Sequence, residues 1–156
     1  MALDEDVKYD SSRCEVQGMV NLGQFTEFLS DTETNKRGNH ALVIMFQPFR
    51  GKWVQTIGAF LSAGAVKGKL LHKIILEAVA LLEKSNYFID CVTTDAATWN
   101  RSMWSAFGVG FDNNSCEHPI DSSRKLMFAS DFPHLVKGLW TRVVGKKILN
   151  VSKISK

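Results

Sequence analysis

Asp95 closes the stretch Tyr87–Asp95, YFIDCVTTD, in which a short apolar run gives way to two threonines and a carboxylate. Runs of this kind form strands buried in a sheet, and this one would leave its carboxylate at the C-terminal tip. In α/β sheets that edge is where ligands and metal ions bind. The following residues, Ala96-Ala97-Thr98-Trp99-Asn100, can open a helix, so Asp95 has a second reading as the helix N-cap. Capping and metal binding draw on the same carboxylate oxygens, and both readings stay open at this point.

The elements around Asp95 follow from periodicity. Lys67–Ser85 predicts an amphipathic helix, with Leu70, Leu71, Ile74, Ile75, Ala78, Leu81 and Leu82 on one face. Its His72 reads as a surface residue. Upstream, Glu15–Leu22 alternates in the manner of a strand. Ala41–Phe46 (ALVIMF) is a central strand, and Lys52–Leu61 a third strand with an irregularity at Gly58. Ser30–Asn39 and Gly108–Pro119 read as loops. Downstream of Asp95 come a short helix through Trp99, Met103 and Trp104, then the strand Lys125–Ser130 ending at Asp131. A last helix is entered by Pro133 in its first turn. The expected fold class is α/β: three antiparallel strands, then α-β-α-β-α with right-handed crossovers. That order resembles an incomplete ribonuclease H-like fold.

Composition limits the alternatives. A chain of 156 residues with 45% apolar and 22% charged residues suits one soluble domain. The net charge of +3 is too small to define a nucleic-acid surface. Cations gather at the C-terminus, where Lys137, Arg142, Lys146, Lys147, Lys153 and Lys156 have no acid among them. Such a tail can meet phosphate or remain solvated, and residues 141–156 are expected as a basic, disordered end to a domain spanning 1–140. Cys14, Cys91 and Cys116 share no CxxC spacing, which points to a reducing compartment and against zinc. No stretch reaches the roughly 18 apolar residues of a membrane helix, and no secretory signal pattern opens the chain, so neither membrane insertion nor secretion is expected. There is no Gly-x-Ser-x-Gly elbow and no dinucleotide-binding glycine loop.

Several motifs occur in one collinear order. They are YDSSRCEVQGMVNLG at Tyr9–Gly23, KW at Lys52–Trp53, TTDAATWNRSMWSAFGV at Thr93–Val109, EHP at Glu117–Pro119 and SDFPHLVK at Ser130–Lys137. The set resembles the P-element-type DNA transposases, including transposase-derived proteins with an N-terminal THAP zinc-binding module, over roughly residues 1–140. In that family three acidic residues bind two divalent metal ions, Mg²⁺ by preference, for DNA cutting and joining. Two ions about 3.5–4 Å apart serve the attacking and leaving oxygens of such a displacement. The resemblance implies that Asp95 is the family's second catalytic Asp and a metal ligand. It implies that Asp131 and His134, its Asp-x-x-His stretch, support the site. Lys137, Arg142, Lys146 and Lys147 would contact DNA, and a nuclear location would follow.

The first catalytic Asp has two placements. A gapped match sets Asp4-Glu5 on the family's Asp-Glu-Met triplet. The ungapped match, preferred here, sets Met1 on that triplet's Met and makes Asp4 a loop acid. The THAP module, the nucleotide-binding insertion and the third acid are not found, and GLWTRVVGKK departs from the family's continuation. The expectation is therefore a fragment of the catalytic core, inactive alone. A second expectation is a non-catalytic DNA- or protein-binding remnant using the basic segment with Trp99, Trp104 and Trp140, although their spacing suits a core. A third is a gene fragment without a role, its sheet lacking a central strand and exposing edges.

Overall fold

A computed structural model describes residues 8–11, 15–95 and 97–145. The two strands predicted on either side of Pro48 pair as an antiparallel hairpin, β3 (His40–Phe46) and β4 (Gln55–Ser62), in the register His40↔Ser62 to Phe46↔Gln55. The register shifts between Ile44 and Met45, opposite Gly58 and Thr56, which is the irregularity expected at Gly58. Leu42, Ile44 and Phe46 pack against the core, whereas Val43 and Met45 are exposed. The strand expected to be buried on both faces is thus covered on one.

The N-terminal strands also differ from expectation. Glu15–Leu22 is not one strand: β2 (Glu15–Gln17) pairs with β1 (Lys8–Asp10), and Gly18 at φ +94° then turns the chain. What joins this segment to β4 is one bridge, in which Asn21 and Leu61 exchange backbone hydrogen bonds of 2.8 and 2.9 Å. The expected three-stranded antiparallel start is therefore a hairpin with a bridged flank. The polar stretch that follows holds a 3-10 helix at Gly23–Phe28 and, within Ser30–Asn39, which reads as a loop, a short helix α1 (Asp31–Thr34). Phe25 is buried edge-on to Phe60.

Helix α2 (Gly68–Lys84) buries Leu70, Leu71, Ile74, Ile75 and Val79, as its periodicity requires. Leu81, assigned to the same face, is 55% exposed. His72 is half-buried and meets the Phe107 ring, rather than lying at the surface. Burial lowers its basicity relative to a free imidazole. Beyond α2, β5 is shorter than predicted, spanning Cys91–Thr94, because Asn86 at φ +60° and the segment through Asp90 lie outside the ladder. Cys91 is half-buried rather than buried. A second sheet runs in the order β5-β7-β6, with β7 (Lys125–Ser130) parallel to β5 and antiparallel to β6 (Ser115–Glu117). β6 lies in the stretch expected to be a loop.

Helix α3 (Thr98–Ala106) crosses α2 closely at a glycine. A Cβ on Gly68 would lie 2.5 Å from Ser102 Cβ and 2.9 Å from the Met103 backbone nitrogen. Met103, fully buried, fills the space beside this crossing. The last helix, α4 (Phe132–Gly145), runs past residue 140 into the segment expected to be a disordered tail. Its Leu139 and Trp140 are exposed, as is Trp99, so of the three tryptophans read as core only Trp104 packs against it.

Two glycines on helices give opposite expectations. Gly68→Ala should destabilise by about 1–3 kcal/mol through overpacking, although alanine favours helices. Gly138→Ala, with open space around its Cβ, should raise the helicity and stability of α4 by about 0.5–1 kcal/mol. Chemical denaturation and far-ultraviolet circular dichroism of the two variants check both signs.

Candidate functional site

The pairing of β5 with β7 decides what stands near Asp95. Both strands run the same way with Thr94 opposite Ser130, so Asp95 and Asp131 emerge at neighbouring C-terminal ends. The Asp131 N–H donates to the Thr94 carbonyl at 2.7 Å, continuing the ladder to the edge of the site. Sequence reasoning placed these two carboxylates on separate motifs; the parallel register brings them to one edge.

Each carboxylate is held by local donors. Asp95 Oδ1 accepts the Ala97 N–H at 2.9 Å and the Asn100 side-chain amide at 2.6 Å. The helix N-cap is Ala97, so Asp95 precedes the helix and does not cap it. Asn100 is buried, and its amide turns the Asp95 side chain toward the start of α3. The role of Asn100 was missed from sequence; its signal was the i, i+5 spacing of a carboxylate and an amide across a strand-to-helix turn. Asp131 Oδ2 is hydrogen-bonded to His134 Nδ1 across the first turn of α4, which joins the two residues of the Asp-x-x-His stretch. Among the described contacts, Asp95 Oδ2 and Asp131 Oδ1 carry no hydrogen bond.

Hard oxygen donors of this kind suit a divalent cation such as Mg²⁺. The set is short of a closed shell, because no group of three or more His, Cys, Asp or Glu is placed to hold a metal ion among the described residues. Asp4, Lys146 and Lys147 lie outside the described residues, as does Cys14. Lys137 is exposed on α4, and Arg142 lies on the same helix.

The opposite end of β5 is clamped by a network that sequence reasoning did not foresee. His118, of the EHP motif, is 2% exposed. Its Nε2 lies 3.1 Å from the Ile89 carbonyl and 3.3 Å from Glu83 Oε1. Its Nδ1 accepts the N–H groups of Ile120 and Asp121. Arg124 bonds both Glu83 oxygens at 3.0–3.1 Å and Asp90 at 2.8 Å. The histidine in this motif is therefore a structural tie.

Residues 1–108 match the model of the family described as TNP-like, RNase H N-terminal domain. The α/β fold is that of an RNase H-like domain. The chain belongs to the TNP-like RNase H N-terminal domain family. A curated relative, the transposable element P transposase of Drosophila melanogaster, is 28% identical over 76 residues, 48% of this chain and 10% of the relative. Among solved structures, the Drosophila P element transposase strand transfer complex superposes with a TM-score of 0.69 at 20% identity, covering 94% of this chain and 28% of that one. The chain thus spans about a tenth of the curated relative's length. These matches agree with the P-element-type resemblance of the motifs.

The Glu83 clamp gives a pH prediction. Burial opposes ionisation of Glu83, but the Ile89 N–H and Arg124 outweigh it, holding the carboxyl below its ordinary value of 4.5. A depressed carboxylate contributes stability above its unfolded-state value, and that contribution is lost as pH falls through the folded value. Stability measured by denaturant titration should therefore drop below about pH 4.5. Glu83→Gln should be less stable near neutrality and show a shallower acid slope.

Proposed function

We propose that this chain forms part of a P-element-type transposase catalytic core, with Asp95 as a metal-binding carboxylate and Asp131 and His134 beside it. The observation that carries this reading is the arrival of Asp95 and Asp131 at adjacent ends of parallel strands in a chain of this family. Bound Mg²⁺ would supply charge neutralisation at a phosphodiester. The chain's own residues orient the donors: Ala97 and Asn100 occupy one oxygen of Asp95 and leave the other to bind. His134 likewise holds one oxygen of Asp131.

Two carboxylates do not complete a two-ion site, and the chain alone is proposed to lack strand cleavage and transfer. Mg²⁺-dependent strand transfer by the isolated chain would overturn that part. For the site, Mg²⁺ titration followed by NMR should shift the amides of Thr94, Asp95 and Asp131. Asp95→Asn should abolish the shifts. Asn100→Ala should weaken affinity by about 10–100-fold, as loss of a ligand's hydrogen-bond partner does. An unchanged titration in Asp95→Asn would remove Asp95 from the site.

A second reading, a non-catalytic DNA- or protein-binding module, is favoured by α4, which is exposed from Phe132 to Thr141 and carries Lys137 and Arg142. If Lys137, Arg142, Lys146 and Lys147 meet phosphate, duplex DNA affinity should fall steeply with salt. The log–log slope should lose about 0.9 for each contacting cation replaced by alanine. A salt slope unaffected by those four substitutions would remove them from DNA contact.

A further inference from the structure

We infer that the turn joining β3 to β4, together with the residues leading into β5, is a binding platform for single-stranded DNA, whose unpaired bases stack on its aromatic rings. Four large rings are open to solvent there: Phe49 is 84% exposed and Phe88 69%, with Trp53 and Tyr87 nearly half-exposed. They belong to one surface. The Phe46 ring lies 5.3 Å from those of both Trp53 and Tyr87, and so ties the turn to the segment before β5. Gln47, which opens the turn, and Phe88 border the same cleft.

The turn is held in one shape before anything binds. The Gly51 N–H donates to the Pro48 carbonyl at 3.4 Å. A Cβ on Gly51 would strike the Pro48 ring and lie 3.0 Å from Trp53 Nε1, so the turn closes against the indole. Phe49 is left near the apex with its ring uncovered. A preformed turn of this kind loses little conformational entropy when a ligand arrives.

Charge and ring chemistry define the occupant. Arg50 and Lys52 flank Gly51 on the turn, both exposed and without an ion-pair partner among the described residues. No acid occurs in the sequence between Glu33 and Glu77. On the side of β5, Glu83 and Asp90 are both engaged by Arg124, whose guanidinium also stands over the Phe88 ring at 5.3 Å. Free cations interleaved with open aromatic faces match a chain of phosphates and bases. In a duplex each base face is covered by its neighbours, so the rings select a single strand. An apolar protein partner would use the rings and leave both cations without counter-ions. The choice of DNA rests on the family reading given above. The platform itself needs neither metal at Asp95, which lies at the other end of β5, nor the cations of α4.

The test uses the full chain and a fluorescently labelled oligothymidine of about ten nucleotides, within the span that single-strand surfaces occupy. Anisotropy in Mg²⁺-free buffer should show saturable binding that weakens with salt, about tenfold or more tighter than to a duplex of equal length. Phe49→Leu keeps an apolar side chain but removes the ring face, and should weaken binding by about 5–100-fold. Arg50→Ala and Lys52→Ala should each lower the log–log salt slope by about 0.7. Absence of binding at low salt, equal affinity for the duplex, or unchanged affinity in Phe49→Leu would overturn the proposal. So would binding that is lost on replacing Lys137 and Arg142 by alanine while the turn variants keep it, since the strand would then lie on α4. Asp95→Asn should leave this affinity unchanged, so failure here and failure of the metal reading are told apart.

Discussion

A strand of four residues that is paired along one edge among the described residues has little to hold it, and the position of β5 is the constraint on which the site depends. Its paired edge contributes a short parallel ladder to β7. The rest comes from its ends. At the N-terminal end, His118, Glu83 and Arg124 gather around the Ile89 carbonyl and the Asp90 side chain, with Glu83 and His118 removed from solvent. At the C-terminal end, Asp131 takes the Thr94 carbonyl while Ala97 and Asn100 take the Asp95 side chain. The strand is pinned at both tips. Buried polar networks of this kind are costly to leave half-made, so each tip specifies one placement. Asp95 is therefore presented by a fixed backbone.

Much of this was legible in the residues. The α2 face, the hairpin around Pro48, the strand-then-helix order at Asp95 and the Lys125–Ser130 strand all follow from periodicity and turn chemistry. What could not be read depended on partners distant in sequence. Nothing local says that Asp131 will donate to Thr94, since that contact is set by strand register. Nothing in EHP says that its histidine will satisfy two N–H groups and face a glutamate on α2. The three-residue β6 is too short to show a period within a glycine- and asparagine-rich stretch. Burial was overestimated where apolar side chains alternate on a sheet covered on one face only. Val43, Met45 and Met127 remain exposed for that reason.

The exposed apolar surface has a pattern. It comprises alternate residues of the sheets and most of α4, where Phe132, Leu135, Val136, Leu139 and Trp140 are all open to solvent. Contiguous patches of this kind are uncommon on isolated soluble domains and mark surfaces that meet other polypeptide. The buried core, by contrast, centres on α2, α3 and the inward residues of β7, and it closes without help from α4.

The irregularity in the β3–β4 hairpin reaches further than its own site. Ile44 faces Gly58 while Met45 faces Thr56, so Ile57 is supernumerary in the ladder. Because side chains alternate sides at every step, one extra residue reverses parity for everything beyond it. Gln55 and Thr56 therefore stand on the side that an uninterrupted β4 would have denied them, while Phe60 keeps its contact with Phe25. A single-residue deletion here would leave the Ala59–Ser62 half in phase and invert the half that leads back to Trp53. In relatives, a one-residue length difference at this point should accordingly travel with a swap of polar and apolar types over that leading half alone.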